Sequence, residues 1–398
     1  MQTKVLINLS PIKRPLTGIG YYTLNIVKEL LNRSVDIVSI HDGRYLNSEQ
    51  TVKFIQDFEL AGLVNAKSGS GLKRKLVNIV RGIPGSYQLK KLLLTIKLRP
   101  KLKMLAESQY VYFEPSFIPF EYAGKTVTTI HDLSFVTHPE FHPSSRVEYL
   151  QSSLSSTIAQ SDLLVVDSDF ILDELNQHYA ESIGKTSSLY LGVDEGFGPQ
   201  NTEGSSSLLD KLNLQNKTYI LSVCTLEPRK NLTRLIEAYK SLPALIREQS
   251  PLVLVGDSGW KNEAMLDSAR SLVASGQIKF TGYVSDGELK QLYASAMVFA
   301  YPSLYEGFGL PVVEAMASGT PVLTSNCGAT KEVASDGALL VDPTSIEAIS
   351  SGLLKLIENP LLREQLVDKG NIRVAQFTWK NTADNLLQTI ERFGQCQR

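Results

Sequence analysis

Eleven short apolar runs, rich in β-branched residues, recur along this chain with longer amphipathic stretches between most of them. KVLINLS (4–10), VDIVSI (35–40), YVYFEP (110–115), TVTTIH (126–131) and DLLVVDS (162–168) make a first series. YILSVC (219–224), PLVLVG (251–256), IKFTG (278–282), MVFAYP (297–302), TPVLTS (320–325) and ALLV (338–341) make a second. A strand that is apolar at consecutive positions has to be covered on both faces, and helices between strands supply that cover in a parallel sheet. The fold class is therefore α/β. Between the two series lies LGVDEGFGPQNTEGSSS (191–207), rich in Gly and Ser and poor in periodicity, which reads as a linker. At 398 residues the chain also exceeds one ordinary core. The expectation is two doubly wound domains, 1–194 and 195–378, and a last helix over 379–398 packing back toward the N-terminal domain. A ligand cleft is expected where the carboxyl ends of the two sheets face each other.

Composition narrows the function classes. With 43% apolar and 20% charged residues, the chain has the make-up of a globular protein rather than a disordered one. The apolar run in MQTKVLINLS is too short for a signal peptide, and no stretch reaches the ~18 apolar residues of a membrane span. A cytosolic location is expected. Cys224, Cys327 and Cys396 are widely spaced and form no CxxC pair, so they are expected to be buried or idle thiols.

One segment concentrates the chemistry. In MVFAYPSLYEGFGLPVVEAMASG a strand ends near Pro302, Gly307 and Gly309 permit a tight turn, and Pro311 suits the start of a helix. Glu314 is expected in the first turn of that helix, and Glu306 in the loop above it. A helix N-terminus with glycine-bared amides attracts a phosphate, whereas two carboxylates repel one. Both fit together if the acids accept hydrogen bonds from hydroxyls, which a nucleotide sugar presents in vicinal pairs. Spacing alone leaves a second reading open, in which Glu314 complements the helix dipole and Glu306 is a solvated loop acid.

The stretch E-G-F-G-L-P-x-x-E-A-M-A-x-G-x-P-V resembles the paired-glutamate signature of the retaining family-four glycosyltransferases, which have the GT-B fold. TLEPRKN (225–231), TGIGYYT (17–23) and IHDLSF (130–135) are similar, in order and spacing, to the bacterial O-antigen and capsule mannosyltransferases and their relatives. The likeness covers essentially the whole chain. It implies two Rossmann-like domains facing across a cleft, the first on the acceptor side and the second binding a nucleotide sugar. It also implies transfer of a hexose, foremost mannose from GDP-mannose, onto a lipid-linked or oligosaccharide acceptor. Retention at the anomeric carbon, no metal and no other cofactor go with that reading.

The resemblance assigns roles to particular residues. Lys230 is matched to the diphosphate-binding lysine, with Arg229 beside it at the head of the helix NLTRLIEAY. Many relatives place another arginine six residues before that lysine, where this chain has Cys224. Glu314 is matched to the ribose hydroxyls, as an acid is in dinucleotide-binding folds. Glu306 is matched to hydroxyls of the transferred sugar and is the residue nearest to a catalytic acid. The amides of Phe308, Gly309 and Leu310 are candidates for the sugar and the phosphates, and the backbone near Tyr283 and Val284 for the base. Gly18 and Gly20, in the first strand-to-helix turn, are expected to let amides approach the donor phosphates, although a lone GIG turn more often just closes a βα unit. Relatives commonly carry an arginine after the second glycine, where Tyr21 stands here. His131 is assigned to the active site as a polar contact to the sugar or acceptor, not as a base. His138 and His142 lack a zinc pattern and are expected in a loop bordering the acceptor pocket. No DxD-like acid pair sits at a strand end to hold a divalent cation, so Arg229, Lys230 and helix dipoles are expected to offset the leaving charge.

Charge is unevenly spread. Between Leu60 and Ala106 there are eleven Lys or Arg and no acid, although the whole chain carries −1. Such a run alternates cations with Leu, Ile and Val, as a basic amphipathic helix on an anionic leaflet does, though charge runs are usually solvated faces. Nucleic acid is the poorer partner, because Tyr87 is the lone aromatic in the run from Gly71 to Leu105. The resemblance places the protein on the inner face of the cell membrane. Other donors (GDP-rhamnose, UDP- or dTDP-sugars), a sugar-nucleotide epimerase and a non-catalytic binding protein are the competing readings.

Overall fold

The computed structural model describes residues 2–14, 16–64, 86–199, 206–257, 259 and 263–395. The chain forms two compact units, one of Met1–Leu189 with Trp379–Arg398 and the other of Tyr190–Thr378. The first contains β1 (Thr3–Asn8), β2 (Val35–His41), β3 (Arg44–Leu46), β4 (Val111–Glu114), β5 (Thr126–Ile130), β6 (Leu163–Val166) and β7 (Thr186–Ser188). Their order in the sheet is β3-β2-β1-β4-β5-β6-β7. All neighbours are parallel except β2 and β3. That antiparallel pair turns at Asp42 and Gly43, with φ of 46° and 72°, the left-handed pair that an Asp-Gly hairpin turn requires. The last helix, Trp379–Gln395, packs on the helix Gly18–Leu31 of the same unit. It buries Ala383, Leu386 and Ile390 and ties Asp384 to Arg33 at 2.7 Å.

The second unit contains β8 (Ile220–Val223), β9 (Leu252–Val255), β10 (Ile278–Gly282), β11 (Val298–Tyr301), β12 (Val322–Ser325) and β13 (Leu339–Val341). They lie in the order β10-β9-β8-β11-β12-β13, every pair parallel. Side chains alternate between the two faces. Ile220, Leu252, Leu254, Val298, Ala300 and Leu323 enter one core, while Leu221, Val253, Val255, Phe299, Tyr301 and Val322 enter the other. Both faces are buried, which is why the sequence runs are apolar without alternation. Each such side chain contributes about 1.5–3 kcal/mol relative to exposure.

The strand orders place the ligand end of each sheet. In the first unit the order reverses between β1 and β4, and in the second between β8 and β11. Loops leaving the carboxyl ends at such a switch point diverge to opposite faces and open a crevice.

Two sequence expectations need correction here. The first part of the expected linker is packed structure. Val193 N–H donates to the Phe377 carbonyl at 3.0 Å, and Phe197 stacks edge-on to Tyr293, so residues from Tyr190 belong to the second unit and not to a domain ending at 194. Residues 200–205 lie outside the described residues. Of the basic stretch expected to form an amphipathic helix, 65–85 lie outside the described residues, and the described part is the helix Ser86–Glu107. That helix buries Leu98, Leu102 and Leu105 while Leu93 and Ile96 are exposed, so its apolar residues do not share one face. Of the cysteines, Cys224 is half-buried and Cys327 exposed, and Cys396 lies outside the described residues. Among the described residues, no helix is long and apolar enough to cross a membrane.

Candidate active site

The switch point of the second sheet brings together two loops that are far apart in sequence. After β8 the chain runs through Thr225–Glu227 into a 3-10 turn, Pro228–Lys230, and Asn231 then turns left-handed (φ 60°) to enter the helix Leu232–Lys240. Arg229 and Lys230 are therefore on a separate turn before the helix, not at its head. After β11 the loop Pro302–Gly309 crosses this turn. Leu304 N–H and Ser303 Oγ both donate to the Arg229 carbonyl, at 2.8 and 2.9 Å, and the Asn231 amide donates to Pro302 O at 2.9 Å. These bonds fix one loop to the other.

Glu306 is the centre of this junction, and at 6% exposure it is a buried carboxylate. Lys230 Nζ lies 2.6 Å from Oε1 and Arg229 Nη1 lies 2.9 Å from Oε2. Tyr301 Oη and Ser303 Oγ donate to Oε1 as well, at 2.8 and 2.6 Å. Burial alone raises the carboxyl pKa, but Arg229 and Lys230 outweigh it and bring the value to about 2. Glu306, read from the sequence as the residue nearest to a catalytic acid, is held as an anion by these two cations. Glu227 accepts from Arg229 Nε at 2.6 Å and completes a buried cluster of two cations and two carboxylates. Cys224, beside this cluster, has its thiol pushed up to about 12, by burial above all. It is a neutral thiol there.

Gly309 caps the helix Leu310–Ala317 with φ 103°, a conformation that glycine adopts without strain, and Pro311 stands in its first turn. Glu314 is one residue further in than expected, just past the first turn, because the helix begins at Leu310. Its Oε2 accepts from Tyr293 Oη at 2.8 Å. Burial, with the charges of Asp194 and Asp286, raises its carboxyl to about 7 against the Tyr293 hydrogen bond and Lys290. The two glutamates of the motif are therefore in opposite electrostatic states, one fixed as an anion and one titrating near neutrality. Phe308 is buried, with its ring 6.1 Å from Tyr190 and 5.5 Å from Phe377. Packing of that ring sets the backbone of the Gly-Phe-Gly loop. Leu310 is half-buried at the first position of the helix. Tyr283 is 63% exposed and Val284 packs on the core, at the entry to the helix Asp286–Ser295.

In the first unit, His131 and Asp167 follow β5 and β6, and the ring of His131 is buried with Nδ1 2.8 Å from Asp167 Oδ2 and Nε2 2.8 Å from the Pro115 carbonyl. The two glycines of the first turn differ in purpose. A Cβ on Gly18 would meet open space, whereas one on Gly20 would lie 2.9 Å from Leu16 Cδ2 and Pro11 O. Gly20 is required by packing, and Gly18 alone has the free approach that a ligand needs. His142 lies in the loop before the helix Ser144–Gln160, buried and 2.7 Å from Ser134 Oγ, while His138 is half-buried near Glu140. Among the described residues, no three His, Cys, Asp or Glu side chains converge as metal ligands.

Sequence reasoning passed over Tyr301, Ser303, Glu227 and Tyr293. Tyr301 had a signal, since a tyrosine inside an apolar strand needs a partner for its hydroxyl. Glu227 lies within the quoted TLEPRKN but carried no assigned role.

Two doubly wound α/β units are the architecture of the GT-B fold. Anabaena HepE in complex with UDP and glucose has the same fold, with a TM-score of 0.72, 19% identity and coverage of 98% of this chain and 100% of that one. Residues 207–373 match the family described as glycosyl transferases group 1. An O-antigen chain mannosyltransferase B of Escherichia coli is 33% identical over 98% of this chain and 99% of its own length. A serotype-specific mannosyltransferase, WbdA, of the same species is 30% identical over 69% of this chain and 34% of its own length. The chain belongs to the group 1 glycosyltransferases and is an enzyme of that class.

Proposed function

We propose that this glycosyltransferase moves mannose from GDP-mannose onto a lipid-linked or oligosaccharide acceptor in bacterial surface polysaccharide synthesis. The observation that carries the reading is the convergence of Lys230 and Arg229 on Glu306 at the switch point of the second sheet. A diphosphate leaving group gains negative charge as the glycosidic bond breaks, and fixed donors aimed at that charge are commonly the largest catalytic contribution. Lys230 and Arg229 are two such donors, and with both present the site needs no divalent cation for the task. Glu306 orients them through its two ion pairs and accepts sugar hydroxyls when the donor displaces part of its contacts. Glu314 accepts the ribose hydroxyls.

The sugar is transferred with retention. Both oxygens of Glu306 are committed to cations, which makes it a poor nucleophile for a double displacement. Front-face attack, with the acceptor proton passing to the leaving phosphate, is the step these residues support. Mannose and the guanine base rest on the kind of relative that the chain matches over its full length. GDP-rhamnose and UDP- or dTDP-sugars are the competing donors. A thermal-shift screen of free nucleotides separates the guanine donors from the uracil and thymine ones: GDP at 100 times its Kd is expected to stabilise the protein by about 2.7 kcal/mol. Stabilisation by UDP and not by GDP overturns the mannose donor.

We also propose that the helix Ser86–Glu107 docks on the anionic inner face of the membrane. Leu93 and Ile96 are exposed there, and Lys97, Arg99 and Lys103 project from the same helix into solvent. Each cation near such a surface contributes about 1 kcal/mol. Replacing the three by Gln is expected to weaken sedimentation with phosphatidylglycerol vesicles by about 10²-fold and to leave turnover on a soluble acceptor unchanged. Unaltered sedimentation of the triple variant returns the run to an ordinary solvated face.

A further inference from the structure

We infer that Asp167 is a positioning residue that holds the His131 ring doubly protonated, so that His131 is a fixed positive charge and takes up no proton during transfer. Both ring nitrogens face atoms that accept: Nδ1 meets Asp167 Oδ2 at 2.8 Å, and Nε2 meets the Pro115 carbonyl oxygen at 2.8 Å. A neutral imidazole has one N–H and one lone pair, so against an ionised carboxylate and a carbonyl it satisfies one contact and repels the other. The imidazolium satisfies both.

The surroundings favour the charge on the ring rather than a neutral pair with the proton on Asp167. Asp132, the next residue, adds a second carboxylate whose potential draws positive charge onto His131. Asp167 Oδ1 is buried without a hydrogen-bond partner among the described residues, which leaves the ring as the group that compensates this carboxylate. The rings of Tyr22 and Phe117 stand at 87° and 68° to the histidine, with centroids 5.0 and 5.8 Å away, an edge-to-face packing that fixes the ring plane. Tyr22 faces the site from the helix Gly18–Leu31. Its hydroxyl is pushed far above its ordinary range by burial first and Asp167 second, so it stays neutral. Burial alone lowers the His131 pKa, but the charge and hydrogen bond of Asp167, the Pro115 carbonyl and the charge of Asp132 together hold it above its usual value. Asp167 is also shifted up, chiefly by burial. Both directions favour a proton held on the pair, in line with the two accepting atoms that face the ring.

A ring whose two nitrogens both carry protons has no lone pair to act as a base. Its use as a fixed charge beside the reacting sugar rests on the transferase reading above. Its protonation does not, and can be measured in the full chain whether or not transfer is observed. With 15N-labelled histidine, the five side chains of the protein give separate ring signals, and His131→Gln identifies the one that matters. At pH 7.5 both His131 nitrogens are expected at shifts of protonated nitrogen, and in Asp167→Asn one is expected to become pyridine-like, with the ring titrating at lower pH. A pyridine-like nitrogen on His131 in the unaltered protein at pH 7.5 overturns the inference. If Asp167→Asn does not fold, the wild-type spectrum alone still decides.

Discussion

Lys230→Ala is expected to lower kcat by about 10²-fold or more, because on the proposed reading it removes the cation positioned for the leaving diphosphate. The same change should also cost stability. Glu306 is buried with Lys230 Nζ at 2.6 Å and Arg229 Nη1 at 2.9 Å, and removing one partner of a buried pair typically costs about 3–5 kcal/mol. Low turnover in a weakened protein would not by itself assign a role, so a paired variant separates the two effects. Lys230→Met with Glu306→Gln removes both charges while keeping similar volumes, and Tyr301 and Ser303 still have a side-chain carbonyl to meet. Its melting temperature is expected to recover most of the loss while kcat stays at the single-variant level. Recovery of both would make the cluster a structural device. Loss of both would show only that the site tolerates no change, and the single variant's kcat in its folded fraction would then decide.

Donor affinity is expected to fall steeply as the pH drops below about 7. Burial and two neighbouring acids raise the Glu314 carboxyl to about 7, and on the proposed reading a ribose that donates two hydrogen bonds to it needs the carboxylate. The sign follows directly: above this value the group is already ionised and binds without a proton cost, and below it the donor has to displace a proton. Each pH unit below the pKa is then worth 1.36 kcal/mol, a factor of about ten, so Kd should rise about 10²-fold between pH 7 and pH 5. Glu306, held at about 2, contributes nothing in this window. In Glu314→Gln the pH dependence should vanish and affinity should be weak throughout. Calorimetric titration with the nucleoside diphosphate measures both, and a Kd flat from pH 8 to pH 5 in the unaltered protein removes Glu314 from the ribose.

The apolar runs made the central strands of both sheets legible, since a strand covered on two faces leaves an uninterrupted hydrophobic signature. β3 and β7 carry no such run. Arg44–Leu46 is held by an Asp-Gly turn that was present in HDGR, and Thr186–Ser188 is a polar edge strand that pairs on one side. The motif residues were legible one at a time, but their union was not. Lys230 and Glu306 are 76 positions apart, and their contact depends on β8 and β11 being neighbours, which strand composition does not encode. Electrostatic state was also hidden. Two glutamates in one motif differ by several pKa units because one faces Arg229 and Lys230 and the other faces Tyr293 among acids. Gly18 and Gly20 look alike in the sequence, and only the position of Pro11 O and Leu16 separates a packing glycine from an open one.

The transfer reaction itself tests the central claim most directly. Purified enzyme is incubated with GDP-mannose labelled in the sugar and with a lipid extract of bacterial membranes, and label is counted in the lipid fraction. The unaltered protein is expected to move label into lipid with an α linkage, at a rate that Lys230→Ala lowers by about 10²-fold. Label that stays in the donor, or a Lys230→Ala protein that transfers as fast as the unaltered one, would contradict the assignment of this cluster as the site of transfer.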